Sequence, residues 1–122
     1  MSVYKAFNNI LIDFIVDCIK VFPEEPNFKI YKTGALLLKQ YNPKKMGTVY
    51  KQYSESYKTQ IINKDETFFL NKEFSEVNNL QNEEEIVQLI GKIRKYWNTL
   101  SNNNKTKIWE YLNVLLKLVE KI

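Results

Sequence analysis

Residues 103–122, NNKTKIWEYLNVLLKLVEKI, read as a helix that is apolar around more than half of its circumference. With Ile108 set at zero and about 100° added per residue, Leu112, Leu115 and Val119 fall within about 40° of it. Trp109 and Leu116 lie on one side of that line, and Tyr111, Val114, Leu118 and Ile122 on the other. The apolar arc is roughly 220° wide, against about 100° for an ordinary surface helix. A helix of this kind is covered on two sides, by its own domain or by a second molecule. Its flanks make Trp109, Val114, Leu116 and Leu118 the candidate interface residues.

The rest of the chain supplies partners for it. Residues 3–22 place Phe7, Ile10, Leu11, Phe14, Ile15, Cys18, Ile19 and Phe22 at i, i+3, i+4 spacing, with Asn9, Asp13, Asp17 and Lys20 opposite. Pro23 ends this helix and Glu24-Glu25-Pro26 is a turn. Asn27 is the expected cap of a second helix to about Tyr41, with Ile30, Tyr31, Leu37, Leu38 and Tyr41 inward. Gly34 weakens that helix unless a close contact needs it. Asn42-Pro43 reads as cap and first turn of a third helix to about Asn63, its inner face made by Met46, Val49, Tyr50, Tyr53, Tyr57 and Ile61. So many phenols predict a helix that is core at its middle and wet at its rim.

Asp65 is the expected cap of a short helix carrying Phe68, Phe69 and Leu70, the one triplet where a strand could hide. Phe74 and Val77 follow in a less regular stretch, and 78–82 is a polar loop. Glu83-Glu84-Glu85 suits the positive end of a fifth helix dipole, with Ile86, Leu89, Ile90, Ile93 and Trp97 as the core stripe and Lys92, Arg94 and Lys95 near the far end. Ser101 then caps the last helix. The expectation is a single all-helical domain over 1–122: an all-α, compact bundle of five to six helices with short connections.

Composition narrows the chemistry. No His is present, which removes the usual general base near neutral pH and the commonest metal ligand. Cys18 is the only Cys, so neither an internal disulfide nor a cysteine zinc site can form, and its place among Phe14, Ile15 and Phe22 marks it as a buried hydrophobe. Gly34, Gly47 and Gly91 are isolated and build no phosphate loop. Asp13 and Asp17, at i, i+4 on a polar face, read as solvated. No catalytic, cofactor-binding or metal-binding residue emerges, and no cofactor is expected. No stretch reads as a signal peptide or a bilayer span, so the expectation is a soluble, unsecreted protein with no membrane partner.

The net charge of +4 is unevenly spread. Residues 27–64 carry eight Lys against Glu55 alone, whereas 65–90 carry Asp65 and six Glu against Lys72. On the expected third helix Lys44, Lys51 and Lys58 repeat every seven residues, opposite the aromatic stripe. That strip could meet a phosphate backbone or an acidic partner. Seventeen of the eighteen basic residues are Lys, however, while forked phosphate and guanine contacts favour Arg.

Several short motifs carry a resemblance through their order. They are Phe7-Asn8-Asn9 with Leu11-Ile12-Asp13-Phe14, Val21-Phe22-Pro23, Asn42-Pro43-Lys44-Lys45, Tyr57-Lys58 before Ile61, Asp65 with Phe68-Phe69, and Asn104-Lys105 to Ile108-Trp109-Glu110-Tyr111-Leu112. Over nearly its whole length the chain resembles a group of small helical proteins of nucleocytoplasmic large DNA viruses, of the marseillevirus and mimivirus kind. Gly47 departs from that pattern, where a larger residue is expected. The group has no assigned activity. The resemblance implies a viral protein in the host cytoplasm, the viral factory or the virion, and it brings no catalytic residues.

The leading functional expectation is a non-enzymatic, self-associating helical interaction module, a homodimer being favoured. A host or viral protein is another partner class. The alternative is non-sequence-specific nucleic-acid binding or packaging through Lys44, Lys51 and Lys58.

Overall fold

The computed structural model describes residues 2–70 and 85–122. Along them run α1 (Val3–Val21), α2 (Asn27–Tyr41), α3 (Lys45–Glu55), α4 (Lys58–Ile62), α5 (Thr67–Leu70), α6 (Glu85–Tyr96) and α7 (Asn102–Val119), with a 3₁₀ turn at Trp97–Thr99. No strand occurs among the described residues. The fold is an all-α bundle, as the periodicity predicts. Phe74, Val77, the expected loop at 78–82, and Glu83 and Glu84 lie outside the described residues.

The breadth of the last helix is used inside the molecule. α7 packs against α1 on one side and against α3 and α4 on the other. Ile108, Trp109, Leu112, Leu115, Leu116 and Val119 are all buried. Ser101 caps it as expected, its Oγ accepting the Asn104 N–H at 3.2 Å. α1 buries Phe7, Leu11, Phe14, Ile15 and Cys18, and ends where the Phe22 N–H reaches the Cys18 carbonyl at 2.8 Å, one residue before Pro23.

Asn8, which reads as an interruption of the α1 apolar pattern, is fully buried. Its Nδ2 donates to the Pro43 carbonyl at 2.8 Å and so ties α1 to the corner between α2 and α3. Its Oδ1 has no partner. A half-satisfied buried amide is tolerable where its one bond fixes a corner that apolar packing alone would leave loose.

The third helix differs from its expected form. Asn42 closes α2, its N–H bonding the Leu38 carbonyl at 2.8 Å, and Lys44 rather than Asn42 occupies the cap of α3. The chain then turns at Ser56 and Tyr57 before α4 begins at Lys58. The turn lets Tyr53 and Tyr57 approach each other, at 4.9 Å between ring centroids, and both meet Phe68 edge-on. Tyr50 is the buried phenol at the middle of α3, and its hydroxyl donates to the Leu112 carbonyl of α7 at 2.9 Å. Gly47 is buried where α3 crosses α1. A Cβ there would stand 3.1 Å from Cδ1 of Tyr4 and 3.3 Å from Cδ1 of Ile122. The close approach accounts for the small residue.

The triplet at 68–70 is helical. Asp65 accepts the Thr67 N–H at 3.0 Å and the Thr67 hydroxyl at 2.8 Å, starting α5 as expected. α5 then drives Phe68 and Phe69 into the core. Phe69 stacks on Trp97 at 4.1 Å and meets Trp109 edge-on at 5.1 Å, and the two indoles cross at 5.5 Å. Arg94, the sole Arg, is buried and points Nε and Nη2 at the Phe68 carbonyl, at 3.2 and 3.0 Å. Its fork meets that one carbonyl with two N–H groups, a task that a point-charge Lys would do less well.

Candidate interaction surfaces

Two of the four residues marked as a candidate interface are spent on the core. Trp109 lies among Phe68, Phe69 and Trp97, and Leu116 is buried with Leu112 and Leu115. Neither can meet another molecule without opening the bundle. Val114 is 42% exposed and Leu118 is half-buried, so only the other flank of α7 reaches water.

Among the described residues, an aligned set of exposed apolar side chains lies on α2 instead. Ile30, Leu37 and Tyr41, expected to face inward, are 62%, 53% and 75% exposed. They fall within about 20° of one line along the helix. Phe28 and Ala35 are buried in their place, while Tyr31 is buried as expected and Leu38 lies at the margin. The arc that faces α1 and α6 is thus rotated by about 90° from the expected one. Two signals could have shown this. Phe28 in the first turn belongs to a set with Tyr31, Ala35 and Leu38, and a small residue such as Ala35 permits the close approach of α1 and α2. Leu36, 46% exposed, stands apart from the stripe, about 100° away.

A second surface is a groove of about 340 Å³ between α1 and α7, lined by Ile10, Asp17, Lys107, Glu110, Tyr111 and Val114. Phe14 stacks under Tyr111 at 4.8 Å and holds the helices in register. The Tyr111 hydroxyl donates to Oδ2 of Asp17. Burial pushes the Tyr111 phenol well above its ordinary range, and the Asp17 hydrogen bond with the Asp17 and Asp13 charges adds to the rise. The groove thus lines apolar Ile10, Tyr111 and Val114 with two carboxylates, Asp17 and Glu110, and one cation, Lys107. Asp17 of the Asp13–Asp17 pair, which reads as merely solvated, belongs to its lining.

The lysines of the strip fall on either side of a break in the helix. Lys44 lies before α3 with Nζ 5.8 Å from the centre of the Tyr4 ring. Lys51 lies within α3 and donates to the Ile122 carbonyl at 2.9 Å. Lys58 opens α4 beyond the turn and pairs with Glu120 at 3.3 Å. The seven-residue spacing presumes an unbroken helix, which the turn at Ser56–Tyr57 interrupts, while Lys51 and Lys58 still line one surface pocket together with Glu55 and Glu120.

Elsewhere the titratable groups do structural work. Burial pushes the Cys18 thiol far above its usual value, with the Asp17 charge adding to it, so the thiolate is scarce. Glu25 in the α1–α2 turn accepts from the Tyr96 hydroxyl at 2.7 Å and from the Asn27 N–H at 3.2 Å, with Lys92 at 3.6 Å. Its carboxyl is held below the ordinary range, chiefly by the Tyr96 hydrogen bond, against the opposing cost of burial. Through Glu25, rather than the Asn27 side chain, the start of α2 finds its cap.

No protein-family model, curated protein or solved structure matches this chain. Among the described residues no helix is long and apolar enough to cross a membrane.

Proposed function

We infer that the protein is a non-enzymatic helical interaction module that self-associates, and that α2 rather than α7 carries the contact. The observation behind this reading is the Ile30–Leu37–Tyr41 stripe, three large apolar side chains each left more than half in water on one line of one helix. Scattered apolar side chains on a surface need no explanation, but an aligned set does. The resemblance to viral proteins sets the module in an infected cell or a virion. A nucleic-acid role would rest on Lys44, Lys51 and Lys58, and these lysines are engaged within the chain.

Light scattering over a concentration series tests the reading. The expected result is a mass that climbs above the 14.6 kDa of the chain as concentration rises. A mass fixed at that of one chain up to millimolar protein would contradict it.

A further inference from the structure

The two apolar surfaces differ in charge, and the difference bears on how copies meet. α2 carries Lys29, Lys32 and Lys39 and no carboxylate at all. Lys29 stands about 100° round the helix from the stripe, on the flank that the wall of a groove would meet. Lys32 and Lys39 add to the field from the far side. A two-fold contact of α2 with α2 along the stripe would bring Lys29 toward Lys29 with no carboxylate on either helix to answer it, and like charges across an interface oppose it.

The groove between α1 and α7 has the opposite character. Its floor is Ile10, Tyr111 and Val114, its walls hold Asp17 and Glu110 with Asp13 beside them, and Lys107 is the one cation of its lining. Stripe and groove share no residue, so one molecule offers both at once.

We propose that the occupant of the α1–α7 groove is α2 of a second copy of this chain, its Ile30–Leu37–Tyr41 stripe on the apolar floor and Lys29 toward the acidic walls. This rests on the self-association read above and specifies its geometry. The contact is heterologous, since each copy gives a helix to one neighbour and a groove to another. Repetition closes a ring or extends a filament rather than stopping at a two-fold dimer.

Leu37→Lys disables the helix and Val114→Lys disables the groove. Both sites are exposed, and circular dichroism checks that each variant keeps the bundle. Each alone is expected to scatter as a monomer. Mixed in equal amounts, they restore one productive contact, Val114→Lys chains giving their intact α2 to the intact groove of Leu37→Lys chains. The mass should then rise to that of two chains and stop, while wild type goes beyond it. If wild type associates but the mixture stays monomeric, the head-to-tail contact is overturned and self-association stands. If wild type is monomeric throughout, both fall. A monomeric wild type that floats with phosphatidylserine vesicles would assign the stripe to an anionic lipid surface instead.

Discussion

Glu25, Asn8, Arg94 and Gly47 each hold the bundle together through a partner far away in sequence. In the sequence they read as a turn residue, an interruption, a dipole charge and a departure from pattern. Their partners are Tyr96, the Pro43 carbonyl, the Phe68 carbonyl and the Tyr4 ring. Periodicity is blind to such pairs, because it describes one helix at a time. Two predictions belong to this scale. Gly47→Leu, which must displace Tyr4 and Ile122, should cost about 1–3 kcal/mol in urea denaturation, more than its better helix propensity returns. For Glu25 the folded carboxyl titrates below its unfolded value of about 4.3. The charge therefore contributes stability above that pH and loses it as pH falls through the folded value. The stability gap between wild type and Glu25→Gln should be full at pH 7 and close below about pH 4. A gap that does not change with pH would show that shape, not charge, is what Glu25 provides.

At the scale of elements, legibility followed length and regularity. α1 and α7 were readable to within a residue or two because their apolar residues repeat over five turns and Ser101 and Pro23 punctuate them. α2 was readable as a helix but not in its orientation. It carries two overlapping apolar sets, Phe28–Tyr31–Ala35 and Ile30–Leu37–Tyr41, and which one is buried is decided by the fit of Ala35 against a neighbour. The break between α3 and α4 was hidden for a related reason. Tyr53 and Tyr57 keep helical spacing across it, and the aromatic cluster with Phe68 is what favours the turn. The wide arc of α7 was legible, and its meaning was not: α1, α3 and α4 cover what could equally have met another subunit. A comparison on that helix separates core from surface. Trp109→Ala should cost about 3–5 kcal/mol. Val114→Ala should stay within about 0.5 kcal/mol of wild type in the same denaturation experiment.

For the whole molecule, the balance between what is covered and what is left open governs behaviour. The two Trp and the phenyl rings of α1 and α5 are buried, and beside that packed core stand the exposed apolar residues of α2. They lie where the basic half of the sequence comes to the surface, on a helix without a single acid, while acids gather at the α1–α7 groove. The basic character of α2 was visible in the charge of residues 27–64, but the acids of the groove, Asp17 and Glu110, lie outside the acidic run 65–90, and the two surfaces depend on the rotation of α2 and on the pairing of α1 with α7. The central claim is that α2 joins copies of this protein. Sedimentation velocity of the wild type beside the triple variant Ile30→Ser, Leu37→Ser, Tyr41→Ser tests it most directly. The wild-type sedimentation coefficient should rise with concentration while that of the folded variant stays at the monomer value; two coefficients that rise together, or that both stay flat, would contradict it.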